Sequence, residues 1–281
     1  MSRAGWCGWM AVGWMLLPLS LPAAAAETQP LEAFFGRAPA PPKVLEIPAE
    51  LSPSEALFFY LNHGRGDPAV VDSYLARGAD ANYQNAELRI SLLHNVAHYG
   101  HAEAARRLIA AGAQTDAVNG EGNTPLYAAV HQGHDEVARL LIEAGAGVNI
   151  ANIYRFAPLR AACRNRNTAL ARLLLEKGAD PNFTDNKGDA PLHVAVDKGA
   201  LEIAVLLIER GANINAAGRF GDTPLHAAVA YGDAEFVRLL LARGADLRAV
   251  NASGLSPAAL AAQRGFGDIV KILEQNGGPG Q

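Results

Sequence analysis

The stretch Gly122–Ala146 reads G-N-T-P-L-Y-A-A-V-H-Q-G-H-D-E-V-A-R-L-L-I-E-A-G-A and carries the punctuation of two short helices. Thr124 supplies a hydroxyl N-cap, and Pro125 sits at the first helical position, where a missing N–H costs nothing. The helix begun there runs about eight residues and stops at Gly133, because glycine takes the left-handed conformation that closes a helix. A second helix follows a tight turn. Its apolar residues Val137, Leu140 and Leu141 fall at helical spacing, and Glu136 lies in the first turn, where the helix dipole favours negative charge. Gly145 and Ala146 end it.

Both phrases recur in register. T-P-L-H or a variant begins at Ser91, Thr124, Ala157, Ala190, Thr223 and Ser256, each step being 33 residues. A Gly-Ala pair begins at Gly78, Gly112, Gly145, Gly178, Gly211 and Gly244, and Gly277 continues the series. The first helices are expected to end at Gly100, Gly133, Gly199, Gly232 and Gly265. One helix pair cannot bury its own apolar face, so units of this size must stack, with the end units acting as caps.

This grammar resembles the ankyrin repeat family, whose period it shares, over residues 54–278. The resemblance implies an all-α solenoid of about seven helix-turn-helix repeats with β-turn fingers. The repeats divide at approximately 54–86, 87–119, 120–152, 153–185, 186–218, 219–251 and 252–278. The first is degenerate, with one extra residue before the next. The resemblance also implies a non-enzymatic protein that binds a protein partner through its finger tips and the exposed ends of its first helices.

The first 26 residues are a different object. Arg3 gives a short positive region, Trp6 to Leu21 an apolar run broken by Pro18, and Ala24-Ala25-Ala26 a signal-peptidase site, so cleavage is expected after Ala26. The run is short for a hydrocarbon core of roughly 30 Å, which argues against a membrane anchor and against stable insertion after cleavage. Residues 27–53 are rich in proline and read as an extended leader; alternatively Leu31, Phe34 and Phe35 pack onto the first repeat. The expected location is periplasmic or secreted.

The chain holds 24 basic and 28 acidic residues, a net charge of −4 that becomes −5 when Arg3 leaves with the signal. That balance gives no reason to expect nucleic acid as a partner. Cys7 leaves too, so Cys163 is alone and no internal disulfide can form, which suits a bacterial periplasm better than an animal extracellular space. Cys163 fills the slot of Val130, Val196 and Val229, the place of a small buried hydrophobe.

Catalysis finds no foothold. His94, His193 and His226 are the H of T-P-L-H, and His101 and His134 belong to the G-H turn, all framework positions. His98 and His131 share a slot in adjacent repeats, about 10 Å apart at ordinary helix spacing, too far to share a metal bound at about 2 Å. Arg65-Gly66-Asp67 spells an integrin tripeptide but falls in an inter-helix turn that uses glycine. The sequons at Asn182 and Asn251 lie in finger segments. With none of the nucleophile-elbow, zinc-protease, C-x-x-C or phosphate-loop patterns in the repeats, no catalytic residue, metal or cofactor is expected.

Register also marks the positions the fold does not need. Exposed aromatic and arginine residues at such slots make interface hot spots. They are Tyr99, Tyr154, Arg155, Phe156, Arg164, Phe220 and Tyr231. Repeat four departs most from the pattern: Arg155 and Arg166 stand where other units have glycine, Ala157 replaces the capping Thr, and Arg160 the His. It is expected to be the weakest internal unit, either through drift or because Tyr154, Arg155, Phe156 and Arg164 form a central partner-binding patch that Tyr99 and Tyr231 extend. The chain is expected to be a monomer. The resemblance reaches exported bacterial ankyrin-repeat proteins associated with catalase and peroxide defence; an immunity protein masking a toxin and a secreted effector binding host proteins are the alternatives.

Overall fold

Each cap-and-proline step becomes a helix start. The computed structural model describes residues 47–277, so the expected signal peptide, Cys7 and the leader as far as residue 46, with Leu31, Phe34 and Phe35, lie outside the described residues, as do 278–281. Repeat one contains α1 (Pro53–Asn62) and α2 (Pro68–Ala76), repeat two α3 (Leu92–Tyr99) and α4 (Ala102–Ala110), and repeat three α5 (Pro125–Gln132) and α6 (Asp135–Glu143). Repeat four has α7 (Pro158–Arg164) and α8 (Thr168–Glu176), repeat five α9 (Pro191–Asp197) and α10 (Leu201–Glu209), and repeat six α11 (Pro224–Tyr231) and α12 (Ala234–Ala242). The series closes with α13 (Pro257–Arg264) and α14 (Gly267–Asn276). First helices pack on neighbouring first helices and second on second, so the core is continuous along the stack. Among the described residues no helix is long and apolar enough to cross a membrane.

One slot shows how the core is written. Leu108, Leu141, Leu174, Leu207, Leu240 and Leu273 recur at the repeat period on the second helices, and all are buried. Each such side chain contributes about 1.5–3 kcal/mol through burial. Cys163 is fully buried among them, as its slot implied. A second periodic line ties the bases of the fingers. Asn82, Asn149 and Asn182 donate to the carbonyls of Gly112, Gly178 and Gly211 and accept from the backbone N–H of Gln114, Asp180 and Asn213. These bonds satisfy backbone groups at the ends of second helices that have no partner within the helix.

The extra residue lies in the finger of repeat two. There the turn closes from the Arg89 N–H to the Asn85 carbonyl, one residue longer than the Gly122-to-Asn119 closure of repeat three. Two boundaries move slightly. Pro53, assigned to the leader, is the first residue of α1, capped by the Ser52 hydroxyl, and Gly277 has φ −102°, so it does not continue the left-handed glycine series.

Repeat four has the expected defects, though fewer are its own. Arg155 and Arg166 sit at φ 59° and 57°, but Arg89 of repeat two also occupies the glycine slot, at φ 54°, and Ala190 of repeat five also lacks a hydroxyl cap. Arg166, closing α7, is the defect peculiar to this unit. Neighbours compensate in part: the Asn165 amide donates to the carbonyls of Val130 and His131, and Asn167 caps α8 while donating to Asp135. Restoring the grammar is expected to stabilise the protein. Ala157→Thr returns a cap worth about 1 kcal/mol, and Arg166→Gly relieves about 1–2 kcal/mol of left-handed strain. The double variant is expected to raise the thermal unfolding midpoint by several degrees; no rise would show that Asn165 and Asn167 already make up the deficit.

Candidate functional site

The fingers are built by side-chain mimicry of a turn. The Asn119 carboxamide oxygen accepts from the N–H of Glu121 and Asn123, and Asn152, Asp185 and Asn251 do the same in the fingers that lead into α7, α9 and α13. Asn and Asp favour turns for this reason. In the finger that leads into α11 the slot is Gly218, because a side chain there would strike Asp189 and His193, and the tip winds into a 3-10 turn, Arg219–Gly221, with Phe220 at φ 59°. Backbone rungs join successive tips: Gly120 N–H to the Leu88 carbonyl at 2.7 Å, Ile153 to Glu121 at 3.0 Å, Asn186 to Tyr154 at 3.4 Å and Ala252 to Phe220 at 2.8 Å. Between fingers five and six, Arg219 N–H instead donates to the Asp189 carboxylate at 2.8 Å.

On this frame the seven candidate residues divide. Phe220 is 71% exposed, Tyr231 60% and Tyr154 46%. Arg155 is exposed but occupied: its Nε donates to the Thr184 carbonyl at 3.0 Å and its guanidinium lies over Phe183. The expectation of exposure is corrected for the other three. Phe156 is half-buried, with the Arg160 guanidinium 3.8 Å from its ring centre, and packs on the core. Arg164 is half-buried and donates to His131 Nε2 at 3.2 Å. Tyr99, also half-buried, donates its hydroxyl to the Asn62 carbonyl at 3.0 Å and lays its ring on Gly64, so it fastens repeat two to repeat one.

The structure brings Tyr154 and Phe156 together, with ring centres 5.7 Å apart. Tyr99 and Tyr231 occupy equivalent helix ends in repeats two and six, each separated from repeat four by a whole repeat. They do not extend the central patch continuously. Three aliphatic side chains, Leu88, Ile153 and Val250, are exposed as well, Val250 the most at 63%. Val250 lies on the last finger among the described residues.

The helix ends form a graded electrostatic row. Burial, helped by His134, lowers the pKa of His98, and burial with Arg164 and His98 lowers that of His131, so both rings favour the neutral form. The Gln132 amide lies 3.0 Å from His98 Nδ1. Further along, burial would raise the pKa of Asp197, but hydrogen bonds from Lys198 and Tyr231 outweigh it and keep the carboxyl below its ordinary value. Burial and Asp197 together push the Tyr231 hydroxyl, which donates to that carboxylate, up to about 12. The Tyr231 ring is thereby oriented with its exposed part outward.

The reactive-looking groups are engaged elsewhere. His94, His193 and His226 each donate from Nε2 to a carbonyl of the next repeat, at Asn123, Asp222 and Leu255, while Nδ1 accepts from the N–H of the helix cap. That geometry specifies one neutral tautomer. Arg160, in the same slot, reaches the Asp185 carboxylate at 3.0 Å instead. Burial pushes the Cys163 thiol up to about 12, far from a nucleophilic thiolate. Asp67 caps α2, and Asn182 and Asn251 spend their amides on Gly211 and Asp222. Among the described residues no three His, Cys, Asp or Glu side chains converge to hold a metal ion.

Comparison with known proteins follows the same lines. A family model of ankyrin repeats in three copies matches residues 58–152 and 151–218, and one of ankyrin repeats in many copies matches 207–261. No curated protein sequence matches the chain. Among solved structures, the chain is similar to the ankyrin repeat domain of human ASB11, at 28% identity and a TM-score of 0.69, with 80% of this chain and 99% of that one covered.

Proposed function

Because the chain belongs to the ankyrin repeat family, we propose that it is a non-enzymatic interaction scaffold that takes a protein partner on its finger tips and first-helix ends. The carrying observation is that Tyr154, Phe220 and Tyr231 stand exposed at slots where the framework makes no demand on side-chain type. Large aromatics held in place by a rigid backbone are what partner hot spots require. Tyr154 is the centre of the proposed surface, with Phe156 and Arg160 packed behind it and Arg155 beside it. Phe220 and Tyr231 form the second contact region, on repeat six. Tyr99, Phe156 and Arg164 act here by positioning, since each is tied to a neighbouring group.

The basic and apolar character of residues 1–26 supports export, and the single cysteine left after cleavage supports a periplasmic working place. A role in peroxide defence rests on fold-level analogy alone. Crosslinking in the periplasmic fraction, followed by mass spectrometry, is expected to recover one stoichiometric partner. Tyr154→Ala is expected to reduce its capture at least tenfold with the thermal midpoint unchanged. Phe156→Ala is expected to lower that midpoint, because its ring packs on the core. Full capture by the Tyr154 variant, or no stoichiometric partner, would count against the proposal.

A further inference from the structure

The finger tips carry a pattern that repeat grammar does not require. One equivalent residue per repeat, from two to seven, gives Leu88, Glu121, Tyr154, Lys187, Phe220 and Ser253, all exposed; the small polar Ser253 lies beyond Phe220 and has no counterpart past Leu88, so the five tips from Leu88 to Phe220 are the ones that pair. Outward from Tyr154 the row reads Glu121 then Leu88 in one direction, Lys187 then Phe220 in the other. Each arm is a charge followed by a large apolar side chain, and the two charges are opposite. Half a turn about Tyr154 therefore lays Leu88 on Phe220, Glu121 on Lys187 and Tyr154 on its own image. That is the condition for an isologous contact, in which residue i meets j and j meets i.

We propose that the occupant of this row is a second copy of the chain, docked antiparallel, finger tips to finger tips, with the two-fold axis through Tyr154. The complementarity is internal to one sequence, so a foreign partner would have to reproduce an order that a second copy has already. The row is also held in place before docking. Rungs join tips two through five, the Asp189 carboxylate holds finger six, and the Glu121 carboxylate accepts from the Asn123 amide at 3.0 Å. Little order is lost on association as a result. Arg155, adjacent to the axis, is turned onto Phe183 and Thr184 of the next finger, which leaves the axis to the tyrosine ring.

This departs from the monomer expected from the sequence. It shares Tyr154 and Phe220 with the partner surface proposed above, so a second copy and a foreign partner compete for those tips, whereas the first-helix ends, with Tyr231, take no part in it. Five tips span four repeat steps, about 40 Å at ordinary helix spacing, in a narrow strip. The contact belongs with small, reversible interfaces, and its dissociation constant is expected on the order of 10–100 µM.

Charge reversal tests it by sedimentation equilibrium. The purified protein is expected to show a weight-average mass rising toward twice the monomer with concentration, less steeply at high salt. Lys187→Glu alone and Glu121→Lys alone each set like charges against each other twice across the axis, and each is expected to weaken association at least tenfold. Mixing the two variants pairs opposite charges at both places and is expected to restore the dimer. Thermal midpoints unchanged from the parent establish that both variants fold. A monomer at 200 µM, a dimer indifferent to both reversals, or a mixture that stays monomeric would overturn the proposal. Loss of foreign-partner capture with the mass curve intact would touch only the scaffold reading.

Discussion

Acidification from pH 7 to pH 4 is expected to remove roughly 3 kcal/mol of stability through His94 alone. In the unfolded chain the imidazole takes its proton near 6.5; in the fold, burial lowers its pKa to about 4, despite the favourable Asn123 carbonyl. Between those values the unfolded chain binds more protons, so stability falls as pH falls. The contribution is complete above about 6.5 and gone below 4. Protonation would also abolish the Nδ1 lone pair that accepts from the Ser91 N–H and hydroxyl, opening the cap of α3. Burial moves His193, His98 and His131 in the same direction, so their contributions add to that of His94. Urea midpoints measured across that range give the slope, and His94→Gln is expected to flatten it. An unflattened slope in that variant would show that His94 does not carry the acid sensitivity and would leave it to the other buried histidines.

Gly100→Ala is expected to cost about 2–3 kcal/mol, in two separable parts. Gly100 closes α3 at φ 78°, where a Cβ costs about 1–2 kcal/mol. The added methyl would also stand 2.5 Å from Nδ1 of His134, whose Nε2 donates to the His98 carbonyl at 2.9 Å. Moving that ring breaks an inter-repeat hydrogen bond worth about 1 kcal/mol. Gly133 provides the internal control. It closes α5 at φ 81°, and a methyl there meets nothing within 4 Å, so Gly133→Ala is expected to cost the strain alone. Equal losses in the two variants, by chemical denaturation, would show that His134 yields without penalty.

The repeat register made the helices, their caps and the buried leucine slot legible, because those depend on which residue types recur and at what interval. It even showed that one residue is extra before repeat two. It did not show where, and the structure puts the residue in a turn, where lengthening leaves both flanking helices intact. Side-chain reach was the harder question. Tyr99 occupies an outward slot, yet a tyrosine is long enough to reach back to the Asn62 carbonyl. Phe156 takes a slot filled by Asn123, Asp189 and Asp222 in three repeats but by Ile90 and Leu255 in two others, so the slot admits an apolar side chain that packs inward, as buried Ile90 shows. Arg160, four residues on, leaves the histidine's carbonyl tie for Asp185 and lies over the ring, adding cover on the solvent side. Two departures that look independent in the sequence are in contact in space.

The side-chain tie between fingers five and six bears on how the array carries load. Considered as a beam, the solenoid has two chords. The lower chord, at the finger bases, crosses from the finger before α9 to the finger before α11 through Asn182, held by both the Gly211 carbonyl and the Asn213 N–H. The upper chord is backbone to backbone from Leu88 to Asn186 and resumes from Phe220 to Ala252, but at this one joint it runs through the rotatable side chain of Asp189. A link through a side chain has torsions that a backbone rung lacks, so of the joints between fingers two and seven this one is the most compliant in the upper chord, and the lower chord and the packed helices beneath it carry the load there.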